Sequence, residues 1–588
     1  MKAENRQLTE FLGSNRQYYI PIFQRKYSWE VSDCKKLFLD ILSVANDTVR
    51  PCHFIGSIIY LPLTNFAATN QCAVVDGQQR LTTLSLFLLA LADYTREYYP
   101  KDEMYNQSES RLEAIRGLYL INPYVQGDLQ YKLKLNDEDF TVYKQLLENR
   151  KLPVGITYSN IYRNYKTLLT ELRNSKVSPE FALTGIRKLM LVDIYLDNND
   201  NAQLVFETVN STGKTLSETE KIKNYILMTV AATKQIELYN DYWKVMEDYF
   251  EKEKNATSFD EFFKYFLTIK LKRKVGYEYY DVFKEYVLKS KKNTTEVIEE
   301  AYQYFLLYKK WVAADFGHDR IDIAMNKIKK TGQGTAIPVV LQVLYDLQYK
   351  VCSAQEALEI FALIESYWVR RRLLSTPTNT ASSVCFLMLK ALGADQYVDA
   401  FKECIRNFTW AQRMPDNKEV LEYLKTAKLY VPDGDNSWLR YTLLDNLEHH
   451  KQKEYQGNEK YSIEHIMPET IWSTEELYKK NMSNEEKEKR DWASDLGENW
   501  RDIYEKYTHT LGNLTLSLAS YNSKYSNYRF DIKKTMTDES EDGRRYGYMY
   551  SPVNISISLS KKEKWGEEEI LARTEEMAKL FFEIWPEV

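Results

Sequence analysis

Cysteine is scarce in this sequence, and its spacing limits the possible chemistry. The 588 residues include six cysteines, spread from Cys34 to Cys404 without a C-x-x-C pair. Structural zinc sites usually need such pairs, and disulfide-stabilised domains need denser clusters. We therefore expect neither a thiolate zinc site nor a disulfide framework.

Long hydrophobic runs are also missing, and we expect no secretory leader. The nearest candidate for a membrane span, Leu81–Leu91, is shorter than the roughly 20 residues that a membrane-spanning helix needs. The N-terminus, Met1-Lys2-Ala3-Glu4, opens without the apolar stretch of a signal peptide. We expect a cytoplasmic protein that does not bind membranes.

A surplus of positive charge is missing as well. With 79 basic and 84 acidic side chains, the formal net charge is −5. Any contact with nucleic acid must therefore depend on local basic patches rather than on a global field. Each patch taken alone is more typical of a solvated helix face. The candidates are residues 270–274, 289–292, 327–330 and 370–372.

The length of the chain predicts several domains, each with its own core. Residues 1–230 mix short strand-like runs, at 18–21, 54–60 and 72–75, with helices. Residues 231–446 have an almost purely helical periodicity and predict an all-helical connector. Residues 447–588 suggest a strand, a long charged insert, a second strand and a basic helix. The sequence thus predicts a multidomain α+β protein.

The most informative motif is Glu464-His465 at a predicted strand end. It is followed downstream by Asn513, in the run L-G-N-L-T-L, and by Asn522. A carboxylate and an amide supply oxygen ligands for a hard divalent cation, and an imidazole can accept a proton from water near neutral pH. A lone histidine is more often structural, but this combination predicts a metal-dependent phosphodiesterase site.

These residues resemble the HNH, or ββα-metal, nuclease motif, and more closely its C-terminal version in the GmrSD family of modification-dependent (type IV) restriction enzymes. The resemblance implies that His465 is the general base and that Glu464 and Asn522 hold one Mg²⁺ or Mn²⁺. Asn513 would position the imidazole or brace the loop. Asn527 competes with Asn522 for the third motif position.

Two basic residues follow in the same segment. Lys524 and Arg529 are candidate DNA phosphate contacts. A solvated helix face is the alternative interpretation.

A second motif, Asp76-Gly77-Gln78-Gln79-Arg80, lies on a turn from a buried strand into a helix. Free N–H groups at a helix start, together with an arginine, can bind phosphate, and a glycine lets the ligand approach the backbone. A capped structural helix is the equal alternative on chemistry alone.

Four motifs in order resemble the ParB/sulfiredoxin-like domain that begins GmrSD proteins. They are the segments 20–29, 54–58, 76–80 and 206–217. The resemblance implies binding and hydrolysis of a nucleoside triphosphate. The segment Gly213-Lys214-Thr215 is not a Walker A motif, because position 208 is threonine where that motif needs glycine. The implied nucleotide-site residues are Arg25, Gly56, Asp76, Gly77, Gln78, Gln79, Arg80 and Asn210.

The resemblance implies a nucleotide-regulated defence endonuclease that cuts double-stranded phage DNA with modified cytosines, such as glucosylated hydroxymethylcytosine. A sensor of phosphorothioate DNA, a ParB-like switch that does not cut, and an RNA-directed toxin remain alternatives. A homodimer is possible, because one ββα site cuts one strand at a time. Arg370 and Arg371 could face DNA or brace the connector through buried carboxylates.

Overall fold

A computed structural model describes most of the chain, and the described residues form two compact units. The first unit comprises Met1–Lys254, Ser258–Asp260 and Glu278–Glu300, and the second comprises Asn255–Thr257, Glu261–Tyr277 and Ala301–Val588. The described ranges are 1–65, 69–98, 114–150, 158–197, 200, 204–205, 216–393, 396–450, 461–538 and 544–588. The predicted boundaries at 230/231 and 446/447 stay predictions.

A mixed six-stranded sheet organises the first unit, with strand order β1-β6-β3-β4-β2-β5. The two central strands, β3 and β4, are antiparallel, whereas β6 runs parallel to β3 and β2 runs parallel to β4. The strand predictions for 54–60 and 72–75 are confirmed. The bounds are β1 Lys2–Gln7, β2 Arg16–Tyr19, β3 His53–Asn65, β4 Asn70–Asp76, β5 Leu133–Lys134 and β6 Leu189–Tyr195.

The helix Gln78–Tyr98 forms the centre of the core in the first unit. It is buried on every side over its first four turns, as expected of a helix that is apolar all round. Because β4 leads into it through a single residue, the intervening turn is held at both ends. The other helices are Leu8–Gly13, Val31–Asn46, Asp137–Leu147, Asn160–Ser175, Pro179–Arg187, Glu218–Met228, Ala232–Leu238, Lys244–Lys252 and Tyr280–Ser290.

The middle of the chain is helical, as predicted, and its described residues between 225 and 446 contain no strand. The helices Phe259–Leu271 and Thr294–Ala313 contain residues of both units. The remaining helices of this stretch are Asp319–Lys330, Ile337–Gln348, Ala354–Leu373, Ala381–Ala391, Tyr397–Arg406, Asn417–Thr426 and Asp445–His449.

The C-terminal part is built around a two-stranded antiparallel hairpin. Strand β7 (Tyr461–His465) pairs with β8 (Leu514–Leu518), and His465 lies opposite Leu514. The charged insert between them folds into four short helices. Short strands β9 (Thr537–Asp538) and β10 (Arg544–Arg545) pair farther on. The helices are Thr474–Tyr478, Asn484–Glu488, Trp492–Leu496, Trp500–Tyr507, Ala519–Tyr525, Phe530–Thr535, Asn554–Ile557 and Glu567–Ile584.

The prediction of one basic helix after β8 is wrong. Two helices replace it, because the backbone reverses at Ser526, whose φ is 43°. Arg529 lies between the helices, not on the same helix as Asn522.

One hydrophobic cluster of the second unit joins residues from the predicted connector and nuclease regions, including Val369, Leu424, Leu511 and Trp585.

The described chain is a multidomain α+β fold, mostly helical, with a mixed sheet near the N-terminus. Among the described helices, none is long and apolar enough to cross a bilayer.

Candidate functional site

His465 is the last residue of β7, and the residue is 6% exposed. Its Nε2 lies 3.1 Å from Nδ1 of His509, and its Nδ1 lies 3.9 Å from a carboxylate oxygen of Glu469. The ring of Tyr430 contacts the imidazole at a centroid distance of 4.5 Å. Burial, with the nearby His509 and the charge of Lys533, lowers the pKa of His465 to about 3. The imidazole is therefore neutral at cellular pH.

Asn513 braces the turn that follows His465. Its Nδ2 donates to the carbonyl oxygens of Met467 and Thr508, at 2.8 Å each. Its Oδ1 accepts from the N–H of Met467 at 2.8 Å and from the indole of Trp565 at 3.0 Å. These four bonds use the full capacity of the amide. Of its two expected roles, these contacts support bracing of the loop.

Glu464 points away from His465, because successive side chains of a strand face opposite sides. Its carboxylate accepts from Nζ of Lys533 at 2.6 Å and from the hydroxyl of Tyr548 at 3.2 Å. Lys533, fully buried, also donates to the carbonyls of His465 and Ile466. Because the Glu464 carboxylate is already paired with a buried ammonium group, it does not fit a metal cation in this arrangement.

Asn522 forms hydrogen bonds to β7. Its Nδ2 donates to Oγ of Ser462 and to the carbonyl of Ile463, at 2.9 Å each. No described contact joins Asn522 to Glu464 or to His465. The expected pairing of Glu464 and Asn522 around one ion therefore stays a prediction, and this geometry does not support it.

The two candidate DNA contacts differ in their surroundings. Arg529 forms a two-pronged pair with Asp495, with nitrogen to oxygen distances of 2.7 and 2.6 Å. Lys524 lies over the ring of Tyr546, 5.6 Å from its centroid. A phosphate would have to displace Asp495 before Arg529 could bind it.

The turn at residues 76–80 in the first unit is tightly built. Gly77 has a φ of 88°, and a Cβ there would lie 2.9 Å from the carbonyl of Ser57. Arg80 donates to the same carbonyl at 2.9 Å, and its guanidinium covers Gly56, which has a φ of 97°. Burial raises the pKa of Asp76, against the opposing effects of the Gly77 N–H, Arg80 and Arg25.

Gln79 connects this turn to the segment that carries Arg25. Its buried amide accepts from the N–H of Ser28 at 2.8 Å and donates to the carbonyl of Lys26 at 3.2 Å. Gln78 is also buried. Asn210 lies outside the described residues, so its relation to the turn stays a prediction.

A cavity of about 530 Å³ opens beside this segment. Arg25 lines it together with Lys26, Lys223 and Lys244. As many carboxylates line it: Glu138, Glu220, Glu247 and Glu251. Lys223 is paired with Glu247 at 3.1 Å, and Lys26 with Glu138 at 2.9 Å.

Two family profiles match the chain. The profile described as the N-terminal domain of GmrSD restriction endonuclease matches residues 8–227. The profile described as the C-terminal domain of GmrSD restriction endonucleases matches residues 414–580.

The chain belongs to the GmrSD family.

Membership of the GmrSD family makes the chain a restriction endonuclease by descent and DNA its expected partner. The turn at residues 76–80 and the residues around His465 lie inside the matched segments. No curated protein sequence gave a significant match to the chain.

In this GmrSD chain, the contacts of Arg370 and Arg371 show whether these residues face DNA or brace the helical region. Arg370 donates to the carbonyls of Trp585 and Pro415 and to the side chain of Asn417. Arg371 donates to four acceptors: the carbonyls of Ala411, Arg413 and Pro377 and the Thr380 hydroxyl. Both are buried, so they brace the fold through backbone carbonyls rather than carboxylates.

Four residues around His465 escaped the sequence analysis: His509, Glu469, Tyr430 and Lys533 acting as a buried partner. Some signal was present, because His509 directly precedes the T-L-G-N run and Glu469 follows His465 by four residues. No sequence signal pointed to Tyr430, since it lies in a different segment of the chain.

Proposed function

We propose that this restriction endonuclease is a nucleotide-regulated, metal-dependent enzyme. It would combine a ParB-like nucleotide domain with an HNH-type nuclease domain and cut DNA that carries modified cytosines. Family membership supports the endonuclease activity. The finer points are supported by the two regions described above.

The observation that carries the nuclease assignment is the buried imidazole of His465, fixed at a strand end. The hairpin of β7 and β8 and the amide of Asn513 hold the turn around it. Hydrolysis of a phosphodiester needs a group that activates water and a positive charge near the phosphate. A neutral imidazole has one lone pair, which can take a proton from water or bind a cation.

The turn at residues 76–80 supports nucleotide binding. The helix Gln78–Tyr98 starts there, so its first N–H groups and its positive dipole end face the turn. The electrostatic effect of Arg80 and Arg25 on Asp76 supports a convergence of cationic groups at this turn. A triphosphate could pair with these arginines, and the cavity beside Arg25 has room for the rest of a nucleotide. Occupancy of this turn would regulate cleavage.

The variant His465→Ala tests the nuclease assignment. Cleavage of glucosylated phage DNA with Mn²⁺ or Mg²⁺ should fall to background, whereas hydrolysis of the triphosphate should continue. His318→Ala is the matched control, because His318 is an exposed histidine of the helical region. Cleavage that survives in His465→Ala would overturn the assignment.

The substrate is tested separately with matched DNA that is unmodified, hydroxymethylated, glucosylated or phosphorothioated. We expect cleavage of the glucosylated DNA, stimulated or restrained by triphosphate. Preferential attack on unmodified DNA would instead indicate a phosphorothioate-sensing enzyme. Nucleotide hydrolysis without any nicking would indicate a switch that does not cut.

A further inference from the structure

A cavity of about 430 Å³ opens among the helices of the second unit. The helices Phe259–Leu271 and Ala381–Ala391 and the segment 274–277 contribute to its walls. Its volume is in the range of sites that enclose small ligands, about 300–1,000 Å³. Its lining residues lie between the two segments that match the family profiles. The cavity is therefore separate in sequence from the turn at residues 76–80 and from the β7–β8 hairpin.

Aromatic rings line this cavity. Tyr277 is 87% exposed and stands at the mouth, whereas Tyr265 and Phe386 are half-buried. Nζ of Lys264 lies over the ring of Tyr277, 4.6 Å from its centroid, and also pairs with Glu261 at 2.7 Å. The ammonium group thus occupies one face of an otherwise exposed ring. The second face is suited to a planar ligand, because nucleic-acid bases stack on such rings.

Positive charge gathers at the same mouth. Lys274 lines the cavity and ends the basic run at residues 270–274, and both Lys274 and Arg273 are exposed. Among the described lining residues the acidic one is Glu261, which is paired with Lys264. The mouth therefore carries an excess of cations. Because every nucleotide of a DNA strand carries a phosphate, a base in the cavity would bring phosphate groups close to them.

Hydroxyl groups complete the lining, from Thr268, Thr335 and Ser382. Oγ1 of Thr335 is buried and has no hydrogen-bond partner among the described residues. It can turn toward a ligand without breaking an existing bond. A hydroxyl both donates and accepts, so it can pair with either kind of group on the edge of a base.

We propose that this cavity receives one base extruded from a DNA duplex, with Tyr277 stacked on the base and Lys274 bound to a neighbouring phosphate. A base within the double helix is covered by its neighbours on both faces, so it must leave the stack to enter a recess. The basic run offers more cations than one free nucleotide needs, which favours a strand as the ligand. The inference rests on the proposed function, for which DNA is the substrate.

Fluorescence anisotropy of the full chain with two labelled duplexes in EDTA tests the proposal without cleavage. One duplex is fully paired and the other has a single mispaired cytosine, which costs less to extrude. The wild type should bind the mispaired duplex about tenfold more tightly. Tyr277→Ala should lose this preference because it removes the stacking ring, and Ser382→Trp should lose it because it fills the cavity. Tyr124→Ala is the matched control, since Tyr124 is 88% exposed in the first unit.

The phosphate contact has its own measurement. Lys274→Ala should weaken binding to both duplexes alike and reduce the salt dependence of the affinity by about one counterion. Photo-crosslinking adds a direct readout, because an iodocytosine at the mispaired position should attach to Tyr277. Attachment only to residues outside the cavity would contradict the proposal.

Two results of the binding assay would also overturn it. One is equal affinity of the wild type for the two duplexes. The other is an unchanged preference in both Tyr277→Ala and Ser382→Trp, with circular dichroism confirming their fold. If Tyr277→Ala instead loses affinity for deoxycytidine triphosphate and not for DNA, the cavity binds free nucleotides and the proposal fails.

The binding assay is independent of the nuclease assignment. A wild type that shows the preference but cuts no DNA with Mn²⁺ or Mg²⁺ would remove that assignment and support this inference. Cleavage by a wild type without the preference would do the reverse.

Discussion

Asn513 shows how one buried amide can fix a functional turn. All four of its hydrogen-bonding positions are used, three of them on Met467 and Thr508 and the fourth on Trp565. Removing the amide leaves these buried groups without a partner, and each unsatisfied group costs about 1–3 kcal/mol. The position of His465 therefore depends on a residue that does not touch its imidazole.

We predict that Asn513→Ala lowers the free energy of unfolding of the second unit by about 2–4 kcal/mol. Cleavage should fall at temperatures where the variant is still folded, because the turn after His465 is no longer held. Urea titration followed by tryptophan fluorescence measures the first effect. Asn407→Ala is the control, since Asn407 is exposed and its side-chain amide donates to the exposed Glu403. Equal stability of the two variants would contradict the prediction.

Lys132 is a residue of the first unit with a predictable dependence on pH. It is buried, and its ammonium donates to the carbonyls of Leu12 and Ser14 at 3.1 and 3.0 Å. Burial lowers its pKa to about 8, whereas an unfolded lysine has a pKa of about 10.4. Between these values the unfolded state binds more protons, so the free energy of unfolding rises with pH.

We predict that the wild type gains stability relative to Lys132→Met between pH 8 and pH 10.5. Below pH 8 the lysine is protonated in both states, and the difference should be constant. Thermal unfolding of both proteins across this range measures the change. A constant difference in stability between the two proteins through the whole range would show that the pKa of Lys132 is not lowered in this way.

At the scale of elements, the turn between β4 and the helix Gln78–Tyr98 packs against β3, and each of the two has a glycine with positive φ: Gly77 in the turn and Gly56 in β3. At Gly56 a Cβ would lie 2.8 Å from the guanidinium of Arg80. Glycine is needed at such a position because other residues rarely adopt this φ and because the arginine occupies the space. The strand and the buried helix thus set the position of Arg80.

We predict that Gly56→Ala weakens triphosphate binding by displacing Arg80, and that it destabilises the first unit by about 1–3 kcal/mol. Binding of a fluorescent ATP analogue measures the first effect. Gly13→Ala is the matched control, because nothing lies within 4 Å of its added Cβ. Wild-type affinity in Gly56→Ala would show that Arg80 does not contact the nucleotide.

At the scale of the whole molecule, long-range clamps hold the second unit together. Arg370 joins the helix Ala354–Leu373 to Trp585, which follows the helix Glu567–Ile584. Burial lowers the pKa of Arg370 to about 10. Because this value is still well above neutral, the guanidinium stays charged at cellular pH. Arg573 makes a similar clamp, with bonds to the carbonyls of Gly512, Leu514 and Ile555. The two clamps connect the predicted connector and the hairpin region through the C-terminal helix.

We predict that Arg370→Met lowers the unfolding temperature of the second unit without changing DNA affinity measured well below that temperature. The free energy of unfolding should fall by about 3 kcal/mol, because three acceptors, two of them buried, lose their donor. Arg406→Met is the control, since Arg406 is exposed and its pair with Glu403 contributes little. Reduced DNA affinity with unchanged stability would assign Arg370 to the DNA surface instead.

Local features were set by the sequence alone. The turn at Gly77 and the buried helix after it follow from neighbouring residues, and so do the helical middle and the position of His465 before Pro468. The break at Ser526 was not predictable, because serine rarely adopts a positive φ and no glycine or proline marks the place.

The tertiary structure decided which side chains meet. The convergence of His465 with His509 and Tyr430, and the capture of Glu464 by Lys533, join segments far apart in the chain. Spacing rules describe only neighbours within one helix or strand, whereas contacts between segments depend on how all of them pack. For that reason the sequence identified the imidazole at the centre of this site, and only the fold identified its partners.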